Sequence, residues 1–121
     1  MRPMNLVMLK SKIHKARVTD RIIDYEGSTT IDRSLMDAVG ILPYEQIQVY
    51  DISNGERFET YAIEAPAGSG EVCVNGAAAR LVEVGDEIII ACYAAYAEEA
   101  AQKHKPAIIV LDERNGIARR L

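Results

Sequence analysis

Ile47-Gln48-Val49, Asn54-Gly55 and Arg57-Phe58-Glu59-Thr60-Tyr61-Ala62-Ile63 follow one another in a single stretch. The first segment alternates apolar and polar residues as a half-buried strand does. Asn-Gly tolerates the positive φ of a tight turn, and the last segment is rich in aromatic and β-branched residues. The stretch reads as a β-hairpin. The same pattern recurs outward in both directions, with short strand-like runs separated by glycine-containing turns, which argues for a β-rich barrel or sandwich over a βαβ fold.

Downstream, Pro66 and Gly68-Ser69-Gly70 form a loop before the strand Glu71-Val72-Cys73-Val74, which Asn75-Gly76 closes, and Ala77-Ala78-Ala79-Arg80 fits one helical turn. Ile88-Ile89-Ile90-Ala91-Cys92-Tyr93 is apolar on both faces and reads as a central strand. Ala97 to Lys103 reads as a short helix with a Glu99–Lys103 pair, and Ala107 to Leu111 as a last strand. The polar tail from Asp112 to Leu121 reads as a hairpin or a frayed end.

Upstream, Asp32 caps a helix over Arg33 to Val39, and Gly40 ends it in a left-handed conformation; Leu35, Met36 and Val39 form its buried stripe. Arg21-Ile22-Ile23-Asp24-Tyr25 reads as a strand ending at Gly27. From Leu6 to Val18 an extended chain places Lys10, Lys12 and His14 on one face and Leu9, Ser11 and Ile13 on the other.

The chain has 121 residues, 49% of them apolar and 26% charged, which fits one globular domain with one core. A formal net charge of −4 with dispersed basic residues argues against nucleic acid as a partner. The start, Met1-Arg2-Pro3-Met4-Asn5-Leu6, has no long apolar run, and no stretch approaches the ~20 apolar residues of a membrane span, so the expectation is a cytoplasmic protein without a membrane partner. Cys73 and Cys92 sit inside apolar β-like segments, as inert reduced thiols do, and no metal site is expected.

Tyr25-Glu26-Gly27-Ser28 carries the chemistry. A serine hydroxyl can attack the carbonyl carbon of the residue before it, and elimination and hydrolysis of the resulting ester leave a pyruvoyl ketone at a new N-terminus. Glycine at the upstream position presents no Cβ to the attack. A pyruvoyl enzyme also needs a cation for a carboxylate substrate and a proton donor. Lys12, His14, Tyr25, Arg57, Thr60 and Tyr61 are candidates. Taken singly they also describe a solvated basic face and half-buried packing tyrosines. In a flat strand Thr60 and Tyr61 point to opposite faces, and Arg57 lies roughly 13 Å from Tyr61. A bulge, strong twist or a site shared between subunits would reconcile them.

Together, Lys12-Ile13-His14, Tyr25-Glu26-Gly27-Ser28, Asn54-Gly55 with Arg57-Phe58, Thr60-Tyr61-Ala62-Ile63, Val74-Asn75-Gly76-Ala77-Ala78-Ala79 and Val84-Gly85-Asp86 resemble the bacterial aspartate 1-decarboxylases from about Met4 to Tyr93. The resemblance implies a mainly β fold, a small double-psi β-barrel with a few short helices, assembled as a homotetramer with active sites between neighbouring subunits. It implies a single pyruvoyl-dependent decarboxylase domain over 1–121, self-cleaved at Gly27–Ser28 into a β chain, 1–27, and an α chain, 28–121. Ser28 becomes the pyruvoyl group and Thr60 holds the Gly27 carbonyl oxygen during processing.

The implied reaction turns L-aspartate into β-alanine and carbon dioxide through a Schiff base, supplying pantothenate biosynthesis. In it Lys12 and Arg57 bind the two substrate carboxylates, in an order left open, and Tyr61 donates the proton. Tyr25, His14 and Asn75 orient the reacting groups, and Gly76, Ala77 and Ala78 line the pocket. Cleavage is either unaided or assisted by a maturation factor, which would then be a further partner.

Overall fold

The computed structural model describes residues 4–121, so Met1, Arg2 and Pro3 of the N-terminal reading lie outside the described residues. Nine strands and three short helical elements follow in chain order: β1 (Asn5–Arg17), β2 (Asp20–Ile22), β3 (Ser28–Asp32), α1 (Arg33–Val39), β4 (Gln46–Asp51), β5 (Arg57–Ala65), β6 (Val72–Asn75), a 3₁₀ helix (Gly76–Leu81), β7 (Glu87–Ala97), α2 (Glu98–Lys103), β8 (Ala107–Leu111) and β9 (Ile117–Arg120).

The strands form one sheet in the order β2-β6-β3-β5-β4-β7-β1-β8-β9. β2 stands at one end of that order and β1 near the other, yet only Val18 and Thr19 join them. The sheet therefore has to curl far enough to bring β2 close to the end of β1. At the join, Val18 N donates to Asp86 O at 2.9 Å and Thr19 N to Val72 O at 2.8 Å, tying the connection to both sides of the curl. The result is the small, mainly β barrel with short helices that the sequence led us to expect. One hydrophobic cluster fills it, drawing Ile13, Ile31, Ile47, Val49, Val72, Val74, Ile88 and Ile90 from the strands and Leu35, Met36 and Val39 from α1.

Local signals are reproduced closely in α1. Asp32 accepts from the Ser34 backbone, Gly40 adopts φ +74°, and Leu35, Met36 and Val39 are the buried residues. The β4–β5 hairpin also forms, in unbroken antiparallel register from Gln46↔Tyr61 to Tyr50↔Arg57. Its turn is wider than a two-residue one: Asp51 Oδ1 accepts from the amides of Ser53 and Asn54, and Gly55 supplies the positive φ. β7 is central, flanked by β4 and β1, and the tail forms the hairpin β8–β9, so Ala107–Leu111 is not the last strand.

Four details differ from the sequence reading. β2 stops at Ile22, and Ile23, Asp24 and Tyr25 lie exposed outside the sheet; the apolar surface of Ile23 and Tyr25 serves no core. Ser28–Asp32, whose polar residues carry no alternating pattern, is a strand because it is paired on both sides, parallel to β5 and antiparallel to β6. Asn75-Gly76 opens the 3₁₀ helix and makes no hairpin. No Glu99–Lys103 ion pair forms among the described residues. No helix among them is long and apolar enough to cross a membrane.

Candidate active site

Antiparallel pairing of β3 with β6 sets Ser28 opposite Asn75 and Thr30 opposite Cys73, while Thr29 faces Val74 and Ile31 faces Val72. Side chains alternate across a strand. Because Ile31, Val72 and Val74 belong to the core cluster, Ser28, Thr30, Cys73 and Asn75 lie together on the outer face of the barrel wall. Three of them are nevertheless covered, Ser28 and Asn75 at 2% exposure each and Cys73 at 5%, while Thr30 is half-buried.

A buried polar group needs partners, and these four supply one another. Asn75 Nδ2 donates to Ser28 Oγ at 3.0 Å and to Thr30 Oγ1 at 3.0 Å. The Cys73 thiol donates to Asn75 Oδ1 at 3.2 Å. Burial, followed by the charges of Asp20 and Glu71, pushes that thiol up to about 11, so it keeps its hydrogen at neutral pH. Both amide hydrogens and the amide oxygen are thus engaged, and the Ser28 oxygen receives a fixed donor.

The Gly27–Ser28 linkage lies against the start of the 3₁₀ helix. Gly76 has φ +78°, and a Cβ placed on it would lie 2.7 Å from Gly27 Cα and 3.1 Å from the Tyr25 carbonyl oxygen. Only glycine lets this backbone approach so near. Gly27 itself is different: no atom lies within 4 Å of the position its Cβ would take. Whatever requires glycine at 27 is not crowding in the folded chain. On the other side, β3 pairs parallel with β5 from Thr29↔Ala62 onward, so Ser28 and Tyr61 each stand one residue before the first pair.

A second group of candidates lies elsewhere on the wall. Lys12 of β1 is level with Ala91 of β7, which is level with Gln48 of β4, which in turn faces Glu59 of β5. That row puts Lys12 four strand spacings from β3, about 19 Å along the sheet. Lys10 is bound to Glu45, whereas Lys12 has no ion-pair partner among the described residues. Nearby His14 is held below the ordinary histidine range by burial first and by Lys12 and Lys15 next, and its buried Nδ1 has no hydrogen-bond partner. Arg57 is exposed, with its guanidinium carbon 3.8 Å from the centre of the Tyr50 ring. Tyr50 Oη in turn meets Tyr93 Oη at 3.0 Å. Tyr61 stacks on Tyr44 with ring centres 6.3 Å apart.

The chain thus brings Tyr25, Gly27, Ser28, Asn75 and Gly76 together, and among the described residues no hydrogen bond or ion pair links Lys12, His14 or Arg57 to them. Ala77 is exposed and Ala78 half-buried behind Gly76. The unbroken β4–β5 register removes a bulge as the means of uniting Arg57 with Thr60 and Tyr61. Sequence reading overlooked Cys73 and Thr30 at the site, and Tyr50 and Tyr93 around Arg57. Two-residue periodicity would have found the first pair: Thr30 is two positions after Ser28 and Cys73 two before Asn75, each on the same strand face.

Fold and site together define a small mainly β barrel whose wall holds a buried serine, preceded by glycine, in the grip of an asparagine amide. Comparison with known proteins narrows the class. The chain belongs to the aspartate decarboxylase family, whose model, described as aspartate decarboxylase, matches residues 4–118. It is 59% identical over 112 residues to the aspartate 1-decarboxylase of Syntrophobacter fumaroxidans, covering 93% of this chain and 90% of that one. With the aspartate 1-decarboxylase of Thermoanaerobacter pseudethanolicus it shares 55% identity over 112 residues, 93% of this chain and 96% of that one. Among solved structures, the rationally designed mkDPBB_sym_86 protein matches with a TM-score of 0.48 and 15% identity, over 64% of this chain and 90% of that one.

Proposed function

We propose that this chain is a pyruvoyl-dependent aspartate 1-decarboxylase that makes its own cofactor by cutting the Gly27–Ser28 bond, and that its product, β-alanine, supplies pantothenate biosynthesis. The observation that carries the reading is the buried Ser28 hydroxyl held by Asn75 Nδ2, next to a Gly27 backbone packed on Gly76. Family membership supplies the reaction class.

The surroundings of residue 28 suit such a group. An amide donor is fixed beside its oxygen, Ser28 is only 2% exposed, and the bare Gly76 backbone leaves no side chain in the way. In processing, Ser28 Oγ attacks the Gly27 carbonyl carbon and its proton passes to the departing amide nitrogen, giving an ester and a free amine. Loss of the Ser28 α-proton expels the Gly27 carboxylate, and water then releases ammonia and leaves the ketone. Thr60 is assigned the donation to the carbonyl oxygen as charge develops there. The chain becomes two pieces, 1–27 and 28–121.

When present, the pyruvoyl ketone supplies the electron sink for loss of the α-carboxylate. The chain's own residues bind and protonate. Arg57 suits a two-point grip on one carboxylate of L-aspartate and Lys12 a single-point contact with the other. Tyr61 is the proton donor, and Tyr25, His14 and Asn75 orient the reacting atoms. We take the complete site to be assembled between subunits of a homotetramer in the cytoplasm, which would let a partner chain supply residues such as Lys12 that make no contact with Ser28 in the described residues. Exposed apolar side chains support that assembly, with Val7 at 75%, Leu42 at 67% and Tyr44 at 77% exposure.

Intact-mass spectrometry of freshly purified protein tests the reading. The expected result is two fragments, the larger reactive toward hydrazines, and a single uncut chain for Ser28→Ala. Active protein consisting of one continuous polypeptide with an unmodified serine at 28 overturns it.

A further inference from the structure

The outer-face cluster contains a thiol that the chemistry above does not use. Cys73 pairs across the strands with Thr30, sits two residues before Asn75 on the same face, and ends with its sulfur 3.2 Å from Asn75 Oδ1. An asparagine amide has two orientations of nearly equal shape and opposite hydrogen-bonding sense. In one, Nδ2 faces the hydroxyls of Ser28 and Thr30. In the other, the carbonyl oxygen faces them, and the serine must donate to it. Only the first leaves the Ser28 oxygen accepting a hydrogen bond, which favours negative charge on that oxygen as its proton leaves.

What selects between them is the group on the far side of the amide. A thiol that keeps its hydrogen offers a donor to Oδ1, whereas it is a poor acceptor for Nδ2. The 5% exposure of Cys73 and 2% exposure of Asn75 leave little room for water to substitute. We infer that Cys73 is a positioning residue for self-cleavage: its S–H locks the Asn75 amide with the NH₂ group toward Ser28, and so sets the rate at which the Gly27–Ser28 bond is cut. The inference rests on the pyruvoyl reading. It goes beyond that reading in giving a function to a thiol whose composition and burial mark it as inert packing.

The proposal is tested by following appearance of the 28–121 fragment after synthesis of wild type, Cys73→Ser and Cys73→Val, well below each protein's melting temperature. Serine keeps a donor and valine keeps the volume without one, so a packing role would rank them the other way. Expected are cutting within about threefold of wild type for Cys73→Ser and about five- to tenfold slower cutting for Cys73→Val, the size of one hydrogen bond. Equal rates for wild type and Cys73→Val overturn the inference and leave the pyruvoyl reading standing. A wild type that is never cut overturns both.

Raman spectroscopy of the S–H stretch in the uncut Ser28→Ala protein gives a readout independent of processing and of any folding defect at position 73. A band lowered by hydrogen-bond donation, and shifted by further substitution of Asn75→Ala, is expected. A Cys73 band at the free-thiol frequency, insensitive to Asn75, overturns the inference.

Discussion

Asn75 Nδ2 reaches Ser28 Oγ at 3.0 Å across an antiparallel strand pair, from a position only 2% exposed. The amide therefore cannot be replaced by bulk solvent when it is removed. A lost donor to a buried oxygen costs about 1–3 kcal/mol. Asn75→Ala is expected to slow Gly27–Ser28 cutting by about ten- to a hundredfold while leaving the chain folded, as followed by the ratio of uncut to cut chain over time. Unchanged cutting would remove Asn75 from the processing machinery.

Gly76 and Gly27 touch, yet tolerate a methyl group very differently. Gly76→Ala has to adopt φ +78° and to displace Gly27 Cα from 2.7 Å, so a loss of about 2 kcal/mol or more is expected together with impaired cutting. Gly27→Ala meets open space, and its melting temperature should stay close to that of wild type. If the two variants melt alike, the close approach of these two backbones is not a feature of the folded chain.

The contrast shows what a sequence does and does not disclose. The helix α1 was legible because Asp32, the stripe Leu35-Met36-Val39 and Gly40 act over a single short span. The β4–β5 hairpin was legible for the same reason. β3 was not, since Ser28, Thr29 and Thr30 have no hydrophobic alternation and become a strand only through partners more than thirty residues away in sequence. The residues that handle Ser28 were partly legible. Asn75 and Gly76 entered through family likeness, whereas Cys73 and Thr30 belong to the site through cross-strand pairing, which a linear reading does not contain. That three strands stand between those of Ser28 and Lys12 along the sheet likewise arises from sheet order.

Arg57 is presented by an aromatic surface. Its guanidinium stacks over Tyr50, whose hydroxyl is held by Tyr93. At an exposed site such stacking contributes about 0.5–1 kcal/mol. Tyr50→Leu should raise KM for aspartate about two- to fivefold with little change in kcat, and Tyr50→Phe, which keeps the ring face, should raise it less. An equal effect of the two variants would mean that the Tyr93 contact, and not the stacking, holds Arg57.

Asp51 gives the protein a pH-dependent stability with a definite sign. The residue is 3% exposed, and its Oδ2 is buried without a partner, while Oδ1 accepts from the amides of Ser53 and Asn54. Burial above all, and then the neighbouring Asp86 carboxyl, push it up to about 6 from an ordinary 3.8. A carboxyl group raised in the folded state binds its proton more tightly there than in the unfolded chain. This group therefore costs stability in full above pH 6. The cost is relieved as pH falls from about 6 toward 4, where the proton returns and can bridge Asp51 to Asp86. Asn in its place keeps the Oδ1 acceptor and offers Asp86 a permanent N–H donor. Asp51→Asn is thus expected to stabilise the fold by about 1 kcal/mol at pH 8, with the gain shrinking toward zero near pH 4, as read from denaturant midpoints across that range. A gain that is constant with pH would show that Asp51 is not the titrating group, and a loss at pH 8 would show that its carboxylate is stabilised where it lies.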